Sequence, residues 1–268
     1  MTSADIEALQ ESLLRGRQMF DIEITTICNK QCPICPRHKF MRDGLSMNSE
    51  TFAMLLEWLP KECDIMFAGF GEPLINPHLP QYIRLLTESG RSCTVLTNGK
   101  KLSDMIIDEL FDSGLNKLQI SILQDEGMEQ LLKFVPLIKP EYRSRVCFNV
   151  IVSDTDFVLD NADEILNMGF IVDYKKVHNR GGSLCAGISA TDLKTCGTFF
   201  SVSFISADGG IFCCSNDING RFRIGNVRDL TFGKLIEYKR NFLGDKSVCK
   251  LCDQCTDEFR IRNFERSK

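Results

Sequence analysis

The sequence predicts an α/β protein: a partial (β/α)6 barrel over residues 1–178, followed by a small module of one β-hairpin and one helix over residues 179–268. Three observations carry this expectation. From Phe20 to about Val177, six short apolar runs alternate with five helical patterns. The runs read as nearly continuous rather than alternating, as expected of a parallel sheet covered by helices. After "HNRGG" the texture changes to small and irregular residues, then to a hairpin pattern and a cysteine knuckle. At 268 residues the chain is long enough to bury one large core with an appendage.

The elements follow in order. "MTSADIEALQESLLRGRQM" has early acids and a helical pattern, unlike a signal peptide. The strand "FDIEITTI" precedes the helix "SETFAMLLEWL", and "CDIMFAG" precedes "LPQYIRLLTESG". "SCTVLTN" is followed by "SDMIIDELFDSG", "KLQISIL" by "GMEQLLKFVPLI", and "RVCFNVIV" by "DFVLDNADEILNMG", with "GFIVDYKKV" as the sixth strand. Ser49 and Ser103 are placed to cap helix N-termini, and Gly90, Gly114 and Gly169 stand directly after the last periodic residue of three helices. Past Asn179, residues 181–198 are irregular and "TFFSVSFISADGGIFCC" reads as two strands joined by an Asp-Gly turn. "LTFGKLIEYKRNF" reads as a helix and "CKLCDQC" as a metal-type knuckle.

The formal net charge of -4, with interspersed signs, argues against a nucleic-acid footprint or a basic membrane face. No apolar run approaches the roughly 18 residues of a membrane span, so the expected location is the cytoplasm. Thirteen cysteines are then the outlying number, because cytosolic thiols stay reduced and point to metal or redox chemistry. They group as Cys28, Cys32, Cys35 and as Cys196, Cys213, Cys214, Cys249, Cys252, Cys255, with Cys63, Cys93, Cys147 and Cys185 apart.

"CNKQCPIC" sets three thiols at Cx3Cx2C spacing just beyond the first strand, at the end of a β/α barrel where chemistry is placed. Structural zinc wants four ligands, and His38, three residues after Cys35, is an unusual fourth. A three-thiolate iron-sulfur cube leaves one iron open for a substrate or cofactor.

The Cx3Cx2C stretch resembles the signature of the radical S-adenosylmethionine (SAM) enzymes, and further motifs follow at successive strand ends. "FGEP" (Phe70 to Pro73) is similar to the Gly-Gly-Glu-Pro motif, so the resemblance implies Gly71, Glu72 and Pro73 at the methionine amino group. Thr97, Asn98 and Gly99 would contact the ribose, Ser121 would lie near the methionyl carboxylate, and Asn149 and Val150 would line the adenine. Two positions depart from the pattern: Phe70 replaces a Gly, and Ile34 stands where an aromatic residue packs on adenine. The resemblance implies a 4Fe-4S cluster on Cys28, Cys32 and Cys35, and SAM cleaved to a 5'-deoxyadenosyl radical that removes a hydrogen atom from substrate. It also implies a flavodoxin- or ferredoxin-type electron donor.

Cys196, Cys214, Cys249 and Cys252 supply a closed shell that suits tetrahedral zinc or a fully ligated cube. The region from "DGGIFCC" to "CKLCDQC" resembles the auxiliary-cluster module of SPASM and twitch members of the family, which implies a second 4Fe-4S cluster. Cys255 competes with Cys249 as a ligand, because both pair with Cys252 at the same spacing. Among one-cluster twitch members, dehydrogenases of aminocyclitols share the "NRGG" segment, and this likeness implies Arg180 at the substrate hydroxyl. Three outcomes stay open: two-electron oxidation of a small polyol, aminocyclitol or sugar; epimerisation with Cys213, Cys255 or Cys185 returning a hydrogen atom; and maturation of a short peptide. Asp21 and Glu23 are further candidates to project into the barrel, and His178 is a candidate proton acceptor.

Overall fold

Apolar runs and Gly-terminated helices wind as the sequence predicts, in a computed structural model that describes residues 3–42, 44–153, 156–184, 196–245 and 248–257. The elements are α1 (Ser3–Arg15), β1 (Gln18–Ile22), α2 (Ser49–Trp58), β2 (Cys63–Phe67), α3 (Leu79–Glu88), β3 (Ser92–Thr97), α4 (Asp104–Asp112), β4 (Lys117–Leu123) and α5 (Gly127–Leu132). They continue with β5 (Val146–Val152), α6 (Ala162–Asn167), β6 (Ile171–Lys176), α7 (Gly197–Ser201), β7 (Val202–Ile205), β8 (Gly210–Phe212), β9 (Arg223–Asn226) and α8 (Phe232–Arg240).

One sheet runs in the order β6-β5-β4-β3-β2-β1-β7-β8-β9, open at both ends. The six barrel strands are parallel, as predicted. The C-terminal hairpin does not stand apart from them: β7 pairs in parallel with β1, with Asp21 opposite Phe204, and β8 and β9 follow antiparallel.

The sheet has two unlike faces, which corrects the expectation of uninterrupted apolar strands. Phe20, Ile65, Val95, Leu118, Ile120, Phe148 and Val150 enter one core with Phe52 of α2, Ile83 of α3, Ile107 of α4, Ile165 of α6 and Leu235 of α8. The intervening residues, among them Asp21, Thr94, Gln119, Ser121 and Asn149, point to the opposite, concave face. Alternation persists in a parallel sheet here because helices cover one face while the other carries the polar residues.

Local chemistry sets the boundaries. Gly90, Gly114 and Gly169 take φ of +81°, +96° and +92°. The next residue's N–H closes back onto Leu86, Leu110 and Ile165 respectively, so all three predicted stops hold. Ser103 caps α4 through the Ile106 N–H, whereas the cap of α2 is Asn48 rather than Ser49. Two helices are shorter than their patterns. Pro136 lies in a separate 3-10 turn after α5, since it has no N–H to continue a helix, and Asn161 at φ +55° delays the start of α6. Thr198, Phe199 and Phe200, expected as strand, are helical, with Phe200 buried and Phe199 packing on Phe242.

Candidate active site

The first cysteine loop leaves the C-terminal end of β1, held by the backbone bridge Thr25 to Ser46. Cys28, Cys32 and Cys35 are half-buried, and the Cys35 N–H donates to Cys32 O at 3.0 Å. Burial pushes the Cys35 thiol up, while the Arg37 N–H and the charges of Arg180 and Arg37 oppose it. Burial likewise raises Cys32, against the charge of Lys30. These thiols ionise when a cation takes them.

The motif loops close around this turn. Glu72 is 1% exposed, and its carboxylate accepts from the Thr97 hydroxyl at 2.6 Å, the Asn98 N–H at 2.8 Å and the Leu74 N–H at 3.1 Å. Burial raises its pKa, against these three bonds. The Asn98 amide reaches Cys28 Sγ at 3.6 Å and Asn29 Oδ1 at 2.9 Å. A Cβ on Gly71 would stand 1.9 Å from Thr25 O, so only glycine lets the second strand's loop lie against the cysteine loop. Pro73 starts a 3-10 turn just behind Glu72, and Gly99 turns at φ +78°.

The structure thus brings Gly71, Glu72, Pro73, Thr97, Asn98 and Gly99 to the cysteine loop. Ile34 is half-buried on that loop. Ser121 and Asn149 lie opposite each other on the concave face, where Asn149 donates to Gln119 Oε1 at 2.9 Å. Val150 follows Asn149 in the strand, and alternation turns its side chain away into the core beneath the helices.

The second cysteine group forms the wall of one cavity, with about 430 Å³ of atom-free space partly continuous with solvent. Cys196 precedes α7, Cys213 and Cys214 follow β8, and two successive turns present Cys249, Cys252 and Cys255. All six line the cavity with Asn216 and Asp257. Cys249 Sγ and Cys252 Sγ are 4.0 Å apart. A hydrogen bond with Cys213 pushes Cys249 up to about 11, and burial raises Cys214 strongly, with Cys196 and Cys255 adding to it. Cys213 and Cys255, the candidate hydrogen donors, therefore face the same cavity as the four expected ligands. Cys185, the third, lies outside the described residues. Among the described residues, no three His, Cys, Asp or Glu side chains meet at the spacing of a single metal ion.

Charged groups stand beside both sites. Arg180, at φ +50°, lies 5.9 Å from the Phe70 ring centre, and its charge acts on both Cys35 and Asp21. Asp257 acts on both Asp21 and Cys214, and His178 Nε2 lies 3.7 Å from its carboxylate. Asn179 ties these segments by exchanging hydrogen bonds with Thr256 at 3.0 and 3.1 Å. Burial pushes the Asp21 carboxyl up to about 7, with Arg180 opposing and Asp257 adding. Glu23 is not a free contact: Arg42 pairs with it and the Phe70 N–H donates to it at 3.0 Å. Sequence reading missed Asp257, Asn216 and Arg42, since each acquires its role through contacts distant in the chain.

Residues 22–136 match the model of the Radical SAM superfamily. An S-adenosyl-L-methionine-dependent 2-deoxy-scyllo-inosamine dehydrogenase of Niallia circulans is 22% identical over 258 residues, covering 88% of this chain and 92% of that protein. A tungsten-containing aldehyde ferredoxin oxidoreductase cofactor-modifying protein of Pyrococcus furiosus is 29% identical over 104 residues, which are 38% of this chain and 29% of that protein. The chain thus matches less than a third of the length of this second relative. Among solved structures, BtrN in complex with AdoMet and 2-DOIA shares the fold, with a TM-score of 0.65 at 18% identity, over 91% of this chain and 94% of that one.

Proposed function

The chain carries a radical SAM domain, and from that premise we propose that it oxidises a small hydroxylated substrate by two electrons, in a hollow between a SAM-binding 4Fe-4S cluster and an auxiliary one. Cys28, Cys32 and Cys35 would hold the first cluster, and four of the six thiols of the second cavity the other. The donor sets fit: soft thiols suit iron-sulfur clusters. When bound, the open cluster supplies an electron to SAM, which yields the 5'-deoxyadenosyl radical that takes a hydrogen atom from the substrate.

The chain's own residues then handle the remaining proton and electron. Arg180 would hold the substrate hydroxyl, and Asp21 would accept its proton as the carbonyl forms. The released electron would pass to the auxiliary cluster, so that the substrate loses two hydrogens and two electrons in all. One observation carries this reading: six thiols gather around one cavity, and the sheet that leads to it pairs β7 with β1, the strand that feeds the Cys28 loop. The aminocyclitol oxidised by the Niallia circulans relative supports an alcohol as the substrate class.

Anaerobic, dithionite-reduced protein mixed with SAM should form 5'-deoxyadenosine and methionine. None formed by protein with its full iron content would refute the reading. With 2-deoxy-scyllo-inosamine as the probe, a ketone product supports dehydrogenation, whereas solvent deuterium in recovered substrate would replace it with epimerisation.

A further inference from the structure

Lys239 is buried on α8 beside the second cysteine cavity, at 2% exposure. Its ammonium donates to Val202 O at 3.1 Å and to Ser203 Oγ at 2.9 Å, and lies 5.7 Å from the centre of the Phe199 ring. Among the described residues no carboxylate pairs with it. A buried cation needs an anion, because neutral acceptors offset only part of its lost hydration. Phe199 lines the second cavity and packs in one buried cluster with Cys196 and Cys213. Both cysteines line the cavity, and as thiols they are neutral. They turn anionic when a metal centre takes them as thiolates.

We propose that Lys239 is the counter-charge of the auxiliary cluster, a positioning residue that raises the reduction potential of that cluster from beneath its cysteine wall. The inference rests on the reading of the second cavity as a cluster site. Reduction adds one negative charge to a thiolate-bound cube, and a fixed cation nearby in a low-dielectric wall stabilises that charge. A higher potential makes the auxiliary cluster the better acceptor for the electron that a substrate radical must lose.

The full chain, Lys239→Met and Lys239→Arg are compared after anaerobic reconstitution, by iron and sulfide analysis and by EPR-monitored redox titration. The Met variant matches the stem of lysine without its charge, and the Arg variant keeps the charge. In Lys239→Met the reduced-to-oxidised ratio of the auxiliary cluster at fixed potential should fall about tenfold, a shift of ~59 mV for one electron. Lys239→Arg should stay near the native value, and the SAM-site cluster, the internal reference, should not move. Loss of the second cluster in the Met variant alone would equally support a counter-charge. Equal potentials in the Met variant and the native chain overturn the proposal, as does loss of the cluster from both variants, which marks a packing role. A native chain that binds one cluster's worth of iron refutes the cluster reading, and the role of Lys239 with it.

Discussion

Asp21 lies in the first strand and Glu23 just past its end, two residues apart, yet their surroundings give them opposite roles. Glu23 is neutralised by Arg42 and the Phe70 N–H, and serves to hold the loop of the second strand. Asp21 takes no hydrogen bond from the described residues and answers only to the charges of Arg180 and Asp257. Burial lifts its pKa from 3.8 to about 7. The folded state therefore keeps a proton that the unfolded chain gives up above about pH 4. The stability this contributes is full below the unfolded value and is lost as pH rises toward 7. Asp21→Asn cannot ionise, so its unfolding free energy should gain on the native chain's by roughly 2–3 kcal/mol between pH 5 and pH 8. Urea unfolding at the two pH values, on protein of equal metal content, reads this directly. A difference that does not change with pH would show that Asp21 titrates as an ordinary surface carboxylate.

The helices begin and end by short-range rules that can be tested one cap at a time. Asn48 accepts the Thr51 N–H at 2.8 Å, so Asn48→Ala should lower stability by about 1 kcal/mol and Asn48→Asp should restore most of it. Urea midpoints of the three proteins decide this, and an unchanged Ala variant would place the cap elsewhere. Local features of this kind were legible in the sequence where Ser103 caps α4, where a glycine takes positive φ and where apolar residues run together, although the cap of α2 lies one residue before the expected Ser49. The six parallel strands and the cysteine loop at the end of the first belong to this class. What was not legible depends on partners far away in the chain. The pairing of Val202–Ile205 with Met19–Ile22 leaves no periodic mark in either segment. The helical turn at Thr198–Phe200 wins over strand propensity because Phe199 and Phe200 find aromatic and aliphatic partners on α1 and near Phe242. Polar residues within the strands, such as Gln119 and Asn149, read as interruptions until they are seen to pair with each other on the face away from the helices.

At the scale of the molecule, the pairing of β7 with β1 has a chemical consequence. The first strand feeds the Cys28 loop at its end, and its other neighbour leads through β8 to Cys213 and Cys214, so a single sheet anchors the first thiol group and two thiols of the second. Sites held on adjoining strands keep a set separation without depending on each other's ligands. Their metal contents should therefore be separable. On the proposed reading, anaerobically reconstituted native chain binds about eight irons, and Cys35→Ala and Cys214→Ala each lose about half. The two variants should then differ in chemistry: Cys35→Ala should form no 5'-deoxyadenosine, whereas Cys214→Ala should still cleave SAM while giving no oxidised product. Iron analysis paired with product chromatography makes the comparison. If Cys214→Ala keeps all of its iron, Cys213 or Cys255 on the same cavity wall has taken its place. If either variant loses all of its iron, the sheet couples the two sites rather than merely spacing them.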